Sequence, residues 1–249
     1  MEQRSYTCDI PKDVADEFAR DPLRVLYRIR LSAERGERLD ETTLSAMRAA
    51  APHLADMPAG QVFAELSRLL VSAFAGQAIL DARDVLTVVL PELEPMAGCP
   101  QNTPYHIYDV LEHTAGVVDA SPAVPLSRWA ALLHDVGKPQ CRRVDTAGRD
   151  HFKGHAIAGA EIARSALVRL EAPPSFSEDV CTLVFLHEWF PPESDASVEA
   201  VIARLDGRVE LYRALLALQV ADSRAKAPIS TERGDIARRF QARLDRLQR

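Results

Sequence analysis

Apolar residues recur at helical spacing along most of the chain. Leu23, Leu26, Tyr27 and Leu31 follow that period and predict a helix from Asp13, as its cap, to about Ala33, interrupted near Asp21-Pro22 and ended by Gly36. Residues 1–11 before it are polar and read as a loose arm. Asp40-Glu41-Thr42-Thr43 opens a second helix, through about His53. Pro58 stands at the first turn of a third, with Val62, Phe63, Leu66, Leu69, Leu70 and Phe74 on one face. A fourth, short helix over about 77–90 stops at Pro91. The segment Pro95–Pro104 holds three prolines and one glycine and reads as a linker, which divides the chain into a helical subdomain, 1–97, and a larger domain, 98–249.

Beyond the linker the pattern predicts a helix over about 105–119, carrying His106 and His113, and a loop with Pro122 and Pro125. An apolar helix, Trp129 to Leu133, then runs into His134-Asp135 and stops at Gly137 and Pro139. Residues 141–152 break the period and suggest a short hairpin, the one piece of β-structure expected. Helices resume at about 155–170, 176–189, 195–205, 208–226 and 231–247. Every long segment is helical, so the expected class is all-α.

Composition adds bounds rather than a function. The chain has 249 residues, long enough for a sizeable core, and a formal net charge of −6, which argues against holding nucleic acid by charge alone. Cys8, Cys99, Cys141 and Cys181 are widely spaced, form no CxxC, and read as reduced thiols of a cytoplasmic protein. No apolar run reaches membrane-spanning length and no signal peptide is apparent, so no membrane partner is expected.

The chemistry concentrates in the second half. Adjacent helical residues point about 100° apart. A packed helix therefore cannot hide both His134 and Asp135 on one apolar face, but at a helix end the two can converge on a divalent cation. A plain helix cap is the alternative for the pair taken alone. His113, His155, His187 and Asp222 also fall on or at the ends of predicted helices. That distribution lets packed helices contribute one ligand each. Imidazole plus carboxylate without thiolate suits manganese, iron, nickel, cobalt or zinc in an open catalytic site. Asp135 has two oxygens and can bridge two ions, which would clamp a phosphate. A buried, hydrogen-bonded histidine is the alternative for His187. Asp222 ends an apolar run and needs a metal or cationic partner. Arg224 is the cationic alternative, although positions i and i+2 do not face each other on a helix. Lys138 can hold a phosphate oxygen as a point charge. Arg142, Arg143 and Lys153 flank the same region, with a solvated hairpin as the alternative. Substrate binding is assigned to Lys138, Arg142, Lys153 and Arg224.

These residues resemble a family. His113…His134-Asp135…Asp222 matches the H…HD…D pattern of the HD-domain metal-dependent phosphohydrolases, and His155 and His187 match the further histidines of its dinuclear members. Three stretches look like the HD domain of bacterial CCA-adding enzymes, the tRNA nucleotidyltransferases. They are Gln101-Asn-Thr-Pro-Tyr-His-Ile-Tyr-Asp-Val-Leu-Glu-His113-Thr, Ala131-Leu-Leu-His-Asp-Val-Gly-Lys-Pro139 and His151-Phe-Lys-Gly-His155. Asp21-Pro-Leu-Arg24 and Pro91-Glu-Leu93 stand where the helical neck and body of those enzymes have them. The departures are as informative. The nucleotidyltransferase head carries a D-x-D pair, and the sequence has no D-x-D. The nucleotide-reading neck motif, E-D-x-x-R followed by R-x-x-R-F, runs Arg20-Asp21-Pro22-Leu23-Arg24 with Tyr27 for an Arg and Leu31 for the Phe.

The resemblance implies a stand-alone HD-domain phosphohydrolase with one or two divalent transition-metal ions and no nucleotidyltransferase activity. A metal-activated water would attack 2′,3′-cyclic nucleotides, nucleoside 2′-phosphates or other small phosphoesters, with Asp135 and Lys138 as catalytic residues. An RNA-binding module is the alternative, with Arg24, Arg28, Arg30, Arg35 and Arg38 on phosphates. Its own counter-reading is a solvated face balanced by Asp21, Glu34, Glu37 and Asp40. A third reading is the non-catalytic half of a split tRNA nucleotidyltransferase.

Overall fold

A computed structural model describes residues 14–103, 107–226 and 232–248. The Asp13 cap, the polar arm, His106 and Cys8 lie outside the described residues. The architecture is all-α, with one two-stranded antiparallel hairpin.

The predicted first helix is two, α1 (Val14–Arg20) and α2 (Leu23–Arg35), because Pro22 supplies no N–H to continue the ladder. Gly36 closes α2 in the left-handed region at φ 68°. Asp40 caps α3 (Glu41–Ala50), its carboxylate accepting the Thr43 N–H at 2.9 Å. A 3₁₀ turn, Ala51–Asp56, leads to α4 (Ala59–Leu70). The helix expected over 77–90 is α5 (Ala75–Asp81) and the single turn α6 (Arg83–Leu86). The expected linker begins as an ordered 3₁₀ turn, Pro91–Met96, with Leu93 and Met96 buried.

In the second half, α7 (Val110–Ala120) starts later than predicted. Asp109 and Glu112 form a capping box there: Asp109 accepts the Glu112 N–H at 2.7 Å, and Glu112 accepts the Asp109 N–H at 3.1 Å. Then come α8 (Pro125–Leu133), the short α9 (Lys138–Cys141), β1 (Arg143–Val144) and β2 (Asp150–His151). The helices α10 (His155–Arg169), α11 (Pro174–Leu186), α12 (Asp195–Arg204), α13 (Val209–Arg224) and α14 (Glu232–Leu247) follow, close to the predicted positions. In the hairpin Arg143 pairs with His151 and Val144 with Asp150.

One apolar core runs through both halves. Helix α8 is at its centre, packed against α4, α7, α11 and α13. Trp129 of α8 is fully buried; it stacks on Phe63 of α4 at 5.4 Å and donates its indole N–H to Ser67 Oγ at 2.8 Å. Helix α5 meets α7 at Gly76, whose N–H donates to Asp119 at 2.7 Å; an added Cβ there would lie 2.3 Å from the Ala115 carbonyl oxygen. The first helices thus hold the scaffold that carries His113 and His134-Asp135. No helix among the described residues is long and apolar enough to cross a membrane.

Candidate metal centre

Five helices converge on one buried point. His113 lies in the middle of α7, and His134 and Asp135 in the turn that ends α8. His155 is the first residue of α10, His187 closes α11, and Asp222 is in the last turns of α13. All six are buried. Gly137 lets the α8 turn approach α10. A Cβ at that position would sit 2.3 Å from the His155 carbonyl oxygen and 2.6 Å from the Gly159 nitrogen.

Three imidazoles are oriented by the same device. Nδ1 of His134, His155 and His187 lies 2.8, 2.8 and 2.7 Å from the carbonyl oxygens of Ala131, Phe152 and Val184, each three residues earlier. A carbonyl only accepts, so each Nδ1 carries the proton and each Nε2 turns a lone pair inward. Nε2 of His155 and Nε2 of His187 then face each other at 3.2 Å. Two lone pairs at that distance repel unless a cation or proton lies between them. Nε2 of His134 is 3.0 Å from Asp135 Oδ2 without hydrogen-bond geometry. His113 Nε2 is 3.0 Å from Asp222 Oδ1 and 3.6 Å from Asp135 Oδ2. The donors form two groups, His113–His134–Asp135 and Asp135–His155–His187, each with ligand atoms within 4.8 Å of one another. Asp135 belongs to both, with Oδ2 toward the first and Oδ1, 3.3 Å from His155 and 3.8 Å from His187, toward the second. This donor set fits a divalent cation.

The electrostatics agree with the geometry. Burial pushes the Asp135 carboxyl up, but His134 and Lys138 reverse this and hold it well below the usual carboxylate range. Asp222 behaves likewise, with Lys226 and His113 opposing burial. Burial pushes His113 down, and it pushes His187, next to other imidazoles, down to about 4, so both stay neutral donors. For His155, burial is outweighed by the hydrogen bond and charge of Asp135, and its value rises.

Lys138 is buried beside the centre, its Nζ 2.7 Å from Asp135 Oδ2, 2.6 Å from Gln101 Oε1 and 5.3 Å from the centre of the Phe152 ring. The other three cations assigned to substrate binding do not join it. Arg142 forms an ion pair with buried Asp150 at 2.8 Å, and the same carboxylate accepts the Asn102 N–H. That pairing ties the hairpin to the segment bearing Gln101. Lys153 is exposed in the turn before α10. Arg224 is exposed and lines a separate cavity of about 400 Å³ with Pro122, Leu216 and Arg238. Two residues further on, just past the end of α13, Lys226 takes the role considered for Arg224: its Nζ is 2.6 Å from Asp222 Oδ2. Gln101 and Glu188, whose Oε2 is 3.7 Å from His155 Nε2, also went unassigned in the sequence. Lys226 alone had a signal, its i+4 spacing from Asp222.

Comparison with known proteins defines the class. Residues 104–225 match the HD domain family, and residues 38–96 match the family described as "Probable RNA and SrmB- binding site of polymerase A". Residues 104–225 thus carry an HD domain, and the chain resembles the neck, body and HD portions of CCA-adding enzymes. It is similar to the CC-adding tRNA nucleotidyltransferase of Thermus thermophilus, 37% identical over 239 residues, which covers 91% of this chain and 54% of that protein. It is similar also to the A-adding tRNA nucleotidyltransferase of Deinococcus radiodurans, 36% identical over 240 residues, covering 89% and 54%. The Multifunctional CCA protein of Neisseria gonorrhoeae is 31% identical over 237 residues, covering 90% and 57%. The chain spans about half the length of these relatives.

Proposed function

We propose that this chain is a metal-dependent phosphohydrolase of small phosphoesters, with 2′,3′-cyclic nucleotides, nucleoside 2′-phosphates and phosphomonoesters as its substrate classes. The observation that carries the reading is the division of Asp135 between two histidine groups, in which the Nε2 lone pairs of His134, His155 and His187 point inward. His113, His134, Asp135 and Asp222 would hold one divalent ion, and Asp135, His155 and His187 a second. A bound ion would polarise a phosphoryl oxygen and acidify a water. The chain's own residues supply the rest. The Nδ1–carbonyl hydrogen bonds fix the imidazoles of His134, His155 and His187, and burial keeps His113 and His187 neutral. The Lys138 ammonium offsets charge growing on a phosphoryl oxygen. Hydrolysis adds water across one P–O bond, leaving a phosphate oxygen and the released hydroxyl. Nucleotidyltransferase activity is not part of this reading. The Pro-rich segment supports a division at 97/98, and the free thiols of Cys99, Cys141 and Cys181 support a cytoplasmic setting.

Metal content after purification without chelator, with turnover of 2′,3′-cyclic AMP and p-nitrophenyl phosphate in added manganese, nickel or cobalt, tests the proposal. One or two transition-metal ions per chain and turnover lost in His134→Ala are expected. No bound metal and no turnover with any ion would overturn it. A second reading has an observation of its own: the match over 38–96 supports an RNA partner for the first helices, tRNA being the substrate named for two of the relatives.

A further inference from the structure

Helix α13 borders a cavity on the side that turns away from the metal centre. Val220 and Arg224 stand two residues before and after Asp222 and so lie about 200° around the helix from it. With Leu216 and Ala217 they line a space of about 400 Å³, bounded by Pro122 after α7 and by Ala237 and Arg238 of α14. The floor is apolar; Leu216 and Ala237 are buried in the core beneath it. The wall at Pro122 is fixed, because its carbonyl accepts from Nε of buried Arg128 at 3.3 Å. The charge here is of one sign. Arg224 and Arg238 line the cavity, and no carboxylate does. The larger cavity beside α2 and α4, about 460 Å³, differs: Asp21 and Glu65 there answer Arg24 and Arg68. Asp235 pairs with Arg238 without lining the cavity, whereas Arg224 is exposed and has no ion pair among the described residues.

We propose that this cavity binds an amphipathic monocarboxylate, an aliphatic or aromatic acid whose apolar body lies on Leu216, Ala217 and Val220 and whose carboxylate pairs with Arg224. The cavity's volume lies within the roughly 300–1,000 Å³ usual for small-molecule sites. Two guanidinium groups against the one Asp235 carboxylate leave a single positive charge. A monoanion neutralises it, and a dianionic phosphate monoester overshoots. The guanidinium fork matches a carboxylate with two parallel hydrogen bonds. Helices α7 and α13 both end at this cavity, and their terminal carbonyls repel an anion close to the backbone. The head group is therefore held out on the long Arg224 side chain, with the body inward. Binding here needs no metal and does not depend on the phosphohydrolase reading.

Calorimetric titration of the full chain with sodium decanoate tests the site. Saturable one-to-one binding is expected. Arg224→Gln weakens it about tenfold through loss of the charge-assisted pairing. Ala217→Phe, which fills the cavity, abolishes it. Decanol and decyltrimethylammonium, which carry the same body without an anion, bind at least about tenfold more weakly than decanoate. Arg224 is exposed, so Arg224→Gln keeps the melting temperature and decides the matter if Ala217→Phe fails to fold. No decanoate binding, equal binding of decanol, or an affinity unchanged in Arg224→Gln overturns the inference. So does binding to phosphatidylglycerol vesicles without binding of decanoate, which would make this face a lipid contact.

Discussion

Asp135 is the one side chain common to both ligand groups, and its charge also compensates buried Lys138. Asp135→Asn keeps the shape and removes that charge. Turnover is expected to fall to background, with metal binding weakened at both halves. The metal-free variant should lose about 3 kcal/mol in a urea melt, because an ammonium is left buried without its partner. Asp135→Asn/Lys138→Met should recover part of that stability and none of the turnover; recovery of turnover would refute the role. The histidines give a pH signature. His113 and His187 lie below the ordinary histidine value and His155 above it. As pH falls, His155 protonates first and its Nε2 stops being a donor. Manganese affinity should therefore drop at a pH above the ordinary histidine value, well before His187 titrates at about 4. In the metal-free protein the sign reverses. The raised His155 contributes stability that is present at lower pH and is lost as pH rises through its folded value. A binding profile with its midpoint near 4 would assign the sensitivity to His187 instead. All six expected ligands meet; His134, Asp135, His155 and His187 sat at helix ends and Asp222 closed an apolar run, signals that sequence records, whereas His113, in the middle of α7, had neither. The cations were harder to read. Arg224 is two residues from Asp222 and so rotates away from it, whereas Lys226, four residues on, returns to its face. Gln101 reaches Lys138 across 37 positions, a separation no local pattern encodes.

At the scale of elements, the periodicity located most helices, and the errors lie where backbone hydrogen bonding overrode it. The start of α7 is set by the Asp109–Glu112 capping box rather than by the first apolar residue. The segment 77–90 carries apolar residues along its whole length yet breaks at Ala82, which caps α5 at φ −105°, ψ 21°, outside helical geometry. Gly137 shows what a pattern cannot express. Its backbone is ordinary, at φ −81°, and its smallness is needed only because the His155 carbonyl and the Gly159 nitrogen lie against it. Backbone atoms cannot rotate out of the way. Gly137→Ala is therefore expected to cost about 1–3 kcal/mol by overpacking and to move the first turn of α10 with His155. Thermal melts with and without manganese separate the two effects. A variant with normal stability and an undiminished metal-induced shift would show that α10 yields freely.

At the scale of the whole molecule, the question is what the first helices contribute. They pack into the same core as the HD half, through Trp129 on Phe63 and Ser67 and through Gly76 on Asp119. Their role as a brace for α7 and α8 is therefore built into the packing. Their role toward RNA depends on free positive charge, and most of the arginines singled out in the sequence are already paired. Arg24 pairs with Glu17 and, at 3.6 Å, Asp21; Arg30 pairs with Glu34 and Glu65, Arg35 with Glu37 and Arg38 with Asp81. Each phosphate contact made by one of them must first release a carboxylate, and the whole chain carries a net charge of −6. Counterion release makes the logarithm of duplex affinity fall with log salt by roughly 0.9 per neutralised phosphate. Binding of a structured RNA to this chain should accordingly be weak, with a slope no steeper than about −2. Fluorescence anisotropy of a labelled tRNA between low and moderate salt measures it. A slope of about −4 or steeper would mean that the α2 ion pairs open onto RNA. The first helices would then be a gripping surface, and the substrate at the metal centre would be sought at the end of an RNA strand.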